Sequence, residues 1–162
     1  MERLWSPWRH EYITQSIDQS SKDVCIFCEA HQNPSEDNDS LILHRGDHNF
    51  VILNRYPYIS GHLMVAPFEH LADLSGAAKQ TTDELMELTK RALAALREVY
   101  RPEGFNVGMN LGRVAGAGVA DHFHMHVLPR WQGDTNFMST VGETRVLSED
   151  LMTTLNKLRG KI

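Results

Sequence analysis

The chain has 162 residues, enough for one domain that buries about two-thirds of its unfolded surface without disulfide support. Its 16 Lys+Arg against 21 Asp+Glu leave a formal charge of −5, which argues against a broad electrostatic hold on nucleic acid or an anionic membrane. With 41% hydrophobic and 23% charged residues, and apolar runs as short as Phe50-Val51-Ile52-Leu53, the composition excludes disordered, fibrous and membrane-spanning classes and is that expected of a soluble globular protein.

Residues 1–10 lack an apolar h-region, so a cytosolic location is expected. Within an N-terminal arm over residues 1–24, Leu4, Trp5, Trp8, Tyr12 and Ile13 recur at roughly helical spacing. Cys25 and Cys28, the two cysteines, follow it. The acidic, turn-prone stretch at 34–39 reads as an exposed loop. Strands are expected at 41–44, 50–53 and 62–66, the third stopping before Pro67. A long helix is expected over 82–100, opened by Thr81 with Glu84 as a capping box and closed ahead of Pro102. Its stripe of Leu85, Leu88, Ala92, Leu96 and Val99, widened by Leu93 and Tyr100, is suited to lie on a sheet. Phe105, Val107, Met109 and Leu111 alternate as a fourth strand with one face on that helix. A glycine-rich segment at 112–118 leads to a last strand over 122–128 that ends at Pro129, and a short helix starts near Ser148. The order points to an α+β fold in one domain, residues 1–162, with its core at about 25–137 and a C-terminal segment at 138–162.

Period-two geometry in His122-Phe123-His124-Met125-His126-Val127-Leu128 sends three imidazoles to one face and three apolar side chains to the other. Nine histidines in 162 residues would produce this pattern by chance roughly 0.03 times per chain, so a chemical role outweighs a solvated strand face. Upstream, the amides of Gly116-Ala117-Gly118 could approach an anion, and Asn110 and Arg113 could reach a phosphate. A nucleophile beside fixed donors is what phosphoryl or nucleotidyl transfer needs.

The Cys25-x-x-Cys28 gap lets two thiolates reach one zinc, with His70 and His122 as candidate third and fourth ligands. Two small buried thiols or a redox pair are the alternatives at this point.

These residues resemble the histidine triad family of nucleotide hydrolases and transferases, whose signature His-φ-His-φ-His-φ-φ, with φ apolar, is matched in full by His122 to Leu128. The segment Asn54-Arg55-Tyr56-Pro57-Tyr58-Ile59-Ser60-Gly61-His62 is similar to the family's nucleoside-binding stretch. Cys25, Cys28, His70 and His122 match its zinc-binding members. The run Leu128-Pro129-Arg130-Trp131 with Gly133-Asp134-Thr135-Asn136-Phe137 resembles a branch acting on dinucleoside polyphosphates. The resemblance implies a five-stranded antiparallel sheet, a homodimer with the long helix at its interface, a structural zinc, and cleavage of diadenosine tri- or tetraphosphate by hydrolysis or phosphorolysis. It implies that His124 attacks the α-phosphorus to form a nucleotidyl-histidine, that His126 donates to phosphate, that His62 completes the network and that Asn54 holds ribose. Nucleotide contacts would also come from Asn110, Gly116, Ala117 and Gly118, although the loop lacks the Gln that many relatives place there. If His122 binds zinc, it supports the nucleophile's strand instead of serving a hydrogen-bond relay.

Two other readings use the same residues: a purine nucleotide sensor with negligible turnover and a nucleoside phosphoramidate hydrolase. An open catalytic metal site on the triad is disfavoured, because no His-Glu-x-x-His carboxylate accompanies it. The remaining features read blandly. Trp5, Trp8 and Trp131 are packing anchors, the last able to border a base pocket, and Met64 and Met125 are core filler. His10, His31, His44 and His48 are surface or turn residues.

Overall fold

A computed structural model describes residues 25–32, 41–135 and 147–162, so the expectations for the N-terminal arm, the acidic loop and Asn136-Phe137 lie outside the described residues. A short helix α1 (Ile26–Gln32) is followed by strands β1 (Ile42–Arg45), β2 (Asn49–Leu53) and β3 (Leu63–Pro67), then by the long helix α2 (Lys79–Tyr100). Strands β4 (Gly104–Gly108) and β5 (Met125–Arg130) and a last helix α3 (Leu151–Leu158) complete the order. The five strands form one antiparallel sheet in the order β1-β2-β3-β5-β4, as the α+β reading expects.

Helix α2 crosses β2, β3 and β5, burying Leu85, Leu88, Ala92 and Leu96 to 2% exposure or less. Gly61 marks the covered face. Its φ is +79°, and a Cβ there would stand 3.1 Å from Leu96 and 3.3 Å from Pro129. Pro129 therefore points toward the helix, and alternation puts Val127 beside it. Register then carries Leu63, opposite Val127, and Leu53, opposite Leu63, to the same face. The other face presents one row across the sheet: Ile42 opposite Ile52, Ile52 opposite Met64, Met64 opposite His126 and His126 opposite Gly108.

Several boundaries differ from expectation. Helix α2 starts at Lys79 after Ala78 and has no side-chain cap; Thr81 is buried inside it. The Glu84 side chain instead reaches away from the helix to accept N–H bonds from Asp47, His48 and Asn49 at 2.7, 2.8 and 2.6 Å, fastening the β1–β2 turn to α2. The side-chain amide of Asn49 reinforces this by donating to Thr81 O and Glu84 Oε2. Pro67 and Pro129 lie within strands, not after them. Pro129 sits beyond the last β3–β5 pair, Leu63–Val127, so its missing N–H removes no bond to β3. Strand β4 stops at Gly108, and Val107 is 44% exposed because this edge strand extends past the helix. Helix α3 begins at Leu151, after Asp150, whose carboxylate accepts from Thr153 N–H. Trp131 packs edge-on against Tyr100 of α2, on the helix side of the sheet and away from the row that ends at His126.

Candidate active site and metal centre

The last strand begins at Met125, not at His122, so His122 and His124 belong to the segment leading into β5 and only His126 is a strand residue. This separates their duties. The His122 ring turns to the α1 end of the sheet, whereas the His124 and His126 rings meet nearly at right angles with centroids 4.7 Å apart. All three are buried, at 0%, 4% and 8% exposure.

Hydrogen-bond partners fix each imidazole's tautomer. Nδ1 of His124 lies 3.0 Å from the carbonyl oxygen of His122; a carbonyl only accepts, so the proton is on Nδ1 and Nε2 carries a free lone pair. Nδ1 of His62 accepts from Tyr58 N–H at 3.1 Å and has the Asn54 amide at 3.3 Å. Its proton is therefore on Nε2, which donates to Nδ1 of His126 at 2.9 Å. That leaves His126 with its proton on Nε2. A lone pair on one ring and an N–H on the next thus stand side by side. Burial lowers the pKa of His124 against the opposing hydrogen bond to His122, and burial with the adjacent His124 brings that of His126 down to about 4. Both rings are neutral at pH 7, which is the form in which imidazole is nucleophilic.

Nδ1 of His122 stands 3.3 Å from Cys25 Sγ and 3.7 Å from Cys28 Sγ, and His70 Nδ1 is 3.4 Å from Cys28 Sγ. The four ligand atoms lie within 4.8 Å of one another. Zinc with bonds of about 2.3 Å to sulfur and 2.0–2.1 Å to nitrogen has tetrahedral S···N edges of about 3.5 Å, so the spacing fits that ion. The other ring nitrogen fits too: Nε2–H of His122 donates to Pro67 O at 2.9 Å and leaves Nδ1 free to ligate. Burial and the neighbouring Cys25 push the Cys28 thiol up to about 11, a cost that a bound cation would reverse. Phe27, between the two cysteines and 1% exposed, packs on both His122 and His124 at 5.1 and 4.8 Å.

The family model for the HIT domain matches residues 35–133. The chain belongs to the HIT family. It is 38% identical over 159 residues to an AP-4-A phosphorylase of Mycobacterium tuberculosis, covering 95% of this chain and 80% of that relative. An adenosine 5′-monophosphoramidase of Schizosaccharomyces pombe is 30% identical over 65% of this chain and 74% of its own. Among solved structures, a zinc-bound histidine triad family protein from Mycobacterium smegmatis superposes with a TM-score of 0.64 at 24% identity, covering 85% of this chain and 91% of that one. A hypothetical histidine triad nucleotide-binding protein from Sulfolobus tokodaii gives 0.65 at 25% identity with the same coverages.

The HIT fold thus gathers most of the expected residues. Cys25, Cys28, His70 and His122 form one cluster, and His124, His126, His62 and Asn54 form the other. Asn54 bonds to protein with both ends of its amide, its Oδ1 accepting from Tyr56 N–H at 2.9 Å, and keeps one N–H and one lone pair. Asn110 lines a groove with His126. Residues Gly116, Ala117 and Gly118 follow a short 3-10 turn (Arg113–Ala115), whose hydrogen bonds, Gly116 N–H to Arg113 O and Ala117 N–H to Gly112 O, stay within the loop. His31 is not a surface residue: it lies in α1 between the rings of Phe50 and Phe68. Sequence reasoning overlooked Phe27 and the row Ile42, Ile52 and Met64, each 6–7% exposed, beside His126. The continuous apolar runs around Ile42 and Ile52 signal strands covered on both faces but not which face meets a ligand.

Proposed function

We propose that this HIT chain cleaves dinucleoside polyphosphates at the α-phosphorus through a nucleotidyl intermediate on Nε2 of His124. The observation that carries the reading is the tautomer pattern, an unprotonated Nε2 on His124 beside an Nε2–H on His126. The His124 lone pair forms the P–N bond while the bridging P–O bond breaks, and its electrons leave with the departing nucleoside polyphosphate anion. The His126 N–H hydrogen-bonds the charge that develops on that oxygen. Nδ1–H of His124 keeps its bond to the His122 carbonyl, which stabilises the positive charge that nucleotidylation places on the ring. An acceptor oxygen then displaces the imidazole and returns the lone pair to Nε2. The apolar row Ile42, Ile52 and Met64 suits the retained nucleobase, and Asn54 keeps one donor and one acceptor for its ribose.

We further infer that Cys25, Cys28, His70 and His122 hold a structural zinc, which carries no step of the reaction. Gly116 to Gly118 and Asn110 remain the proposed phosphate contacts. A homodimer with the long helix α2 at its interface completes the reading. One working domain in the cytosol is the matching proposal, and among the described residues no helix is long and apolar enough to cross a membrane.

The test is incubation of purified protein with diadenosine tri- and tetraphosphate, with and without phosphate, beside a His124→Ala control. ADP formed only with phosphate identifies a phosphorylase, and AMP without phosphate a hydrolase. Turnover of neither substrate, or full activity in His124→Ala, would overturn the reading.

A further inference from the structure

We infer, on the reading just proposed, that the groove on the β4 side of His126 is the subsite for the departing half of the substrate and takes the second nucleoside of a dinucleoside polyphosphate. The groove holds about 250 Å³, just under the small end of ligand pockets at about 300 Å³, and is bounded by Tyr58, Asn106, Gly108, Asn110, Leu128 and His126. Register sets its floor: Asn106 lies opposite Leu128 and Gly108 opposite His126, so all four share the reacting face.

Gly108 is the telling position. A Cβ built on it meets nothing within 4 Å, so open space begins directly beside the proposed hydrogen-bond donor, His126. On the opposite side of His126 lies the apolar row of Met64, Ile52 and Ile42. One reacting phosphorus next to His124 and His126 thus has a receptacle on each side, one for the retained nucleotide and one for the group that leaves past the His126 N–H.

The chemistry of the groove suits a base and sugar. Tyr58 supplies an aromatic wall, its ring centroid 5.9 Å from that of His126, and an aromatic side chain of this kind is a surface on which any base can stack. Leu128 and Met109 add apolar surface. Asn106 uses its Oδ1 to accept from Arg130, so what its amide offers the groove is its N–H donors. No charged side chain lines the groove among the described residues, which disfavours a bare phosphate tail as its occupant.

The experiment compares diadenosine tetraphosphate with adenosine 5′-tetraphosphate, which has the same phosphates but no second nucleoside, each assayed as substrate and as competing ligand. Wild type should favour the dinucleotide about ten-fold or more, the scale of one base stacked on an aromatic ring. Gly108→Leu, which adds a side chain where Gly108 leaves open space on the groove floor, should erase most of that preference while adenosine tetraphosphate changes less than about three-fold. Gly108→Ala should keep it. Wild type without a preference, or a preference that survives Gly108→Leu, overturns the subsite. Wild type that cleaves neither compound instead sinks the underlying catalytic reading, even if it still binds the dinucleotide more tightly.

Discussion

The carbonyl oxygen of His122 lies 3.0 Å from Nδ1 of His124, while the His122 ring stands in the thiol cluster with Nδ1 3.3 Å from Cys25 Sγ. One residue therefore joins the candidate metal centre to the candidate nucleophile, by its ring on one side and its backbone on the other. Phe27 makes a second link, since the two cysteines flank it and its ring packs on His124. Helix α1 spans seven residues, too short to persist alone, so what holds it is its anchorage. Stripping zinc should lower kcat about 10–100-fold with a much smaller change in KM, and zinc should restore it. Metal content measured beside both constants checks this; a stripped enzyme with undiminished kcat would show the centre to be uncoupled from the nucleophile.

How much of this was legible in the sequence depended on how local each signal is. The Cys25-x-x-Cys28 spacing and the alternation around His124 and His126 are short-range patterns, and the fold kept both. The row from Ile42 to His126 was not legible, because it joins four strands and exists only once register is set. Glu84 misled for a related reason. Three residues after Thr81 it has the form of a capping box, but the N–H groups of the β1–β2 turn arrive from 35–37 residues away and bind it more fully. Alternation alone puts His122 in the strand, whereas its ring bonds to Pro67 O and joins the thiol cluster outside the ladder.

The two reacting histidines should differ in what their loss does. His124→Ala removes the atom that forms the P–N bond and should abolish turnover while the fold, read by circular dichroism and melting, stays intact. His126→Ala removes a hydrogen bond to the departing oxygen and should slow turnover roughly 10²–10⁴-fold. Mass spectrometry of wild type quenched during turnover should find the nucleotidyl group on His124, and its recovery on another histidine would reassign the nucleophile.

Gly61 should resist replacement. Its φ of +79° is costly for any residue with a Cβ, by about 1–2 kcal/mol, and that Cβ would press on Leu96 at 3.1 Å. Gly61→Ala is expected to destabilise the protein by about 2 kcal/mol, a fall in Tm of several degrees at this size. Calorimetry of the two proteins side by side measures it, and an unchanged Tm would mean that helix α2 yields at Leu96 without cost.

Glu84 should make stability depend on pH in a defined direction. Burial pulls its pKa up, but the hydrogen bonds from the Asn49 side chain and from the N–H groups of Asp47, His48 and Asn49 outweigh that and hold the carboxyl below its ordinary 4.5. A carboxyl that is more acidic in the folded state than in the unfolded one contributes stability that is present above pH 4.5 and is lost as pH falls through the lowered value. Replacing Glu84 by Gln removes the charge and leaves one of the four donors facing an amide N–H, so a loss of about 2 kcal/mol is expected at pH 6.5. The difference between wild type and Glu84→Gln should then shrink at pH 3.5, where the wild-type carboxyl gains its proton on unfolding. Urea midpoints for both proteins at the two pH values supply the measurement. A difference that stays constant with pH would assign the effect to shape alone, because the two proteins differ in this range by the titration of the Glu84 carboxyl.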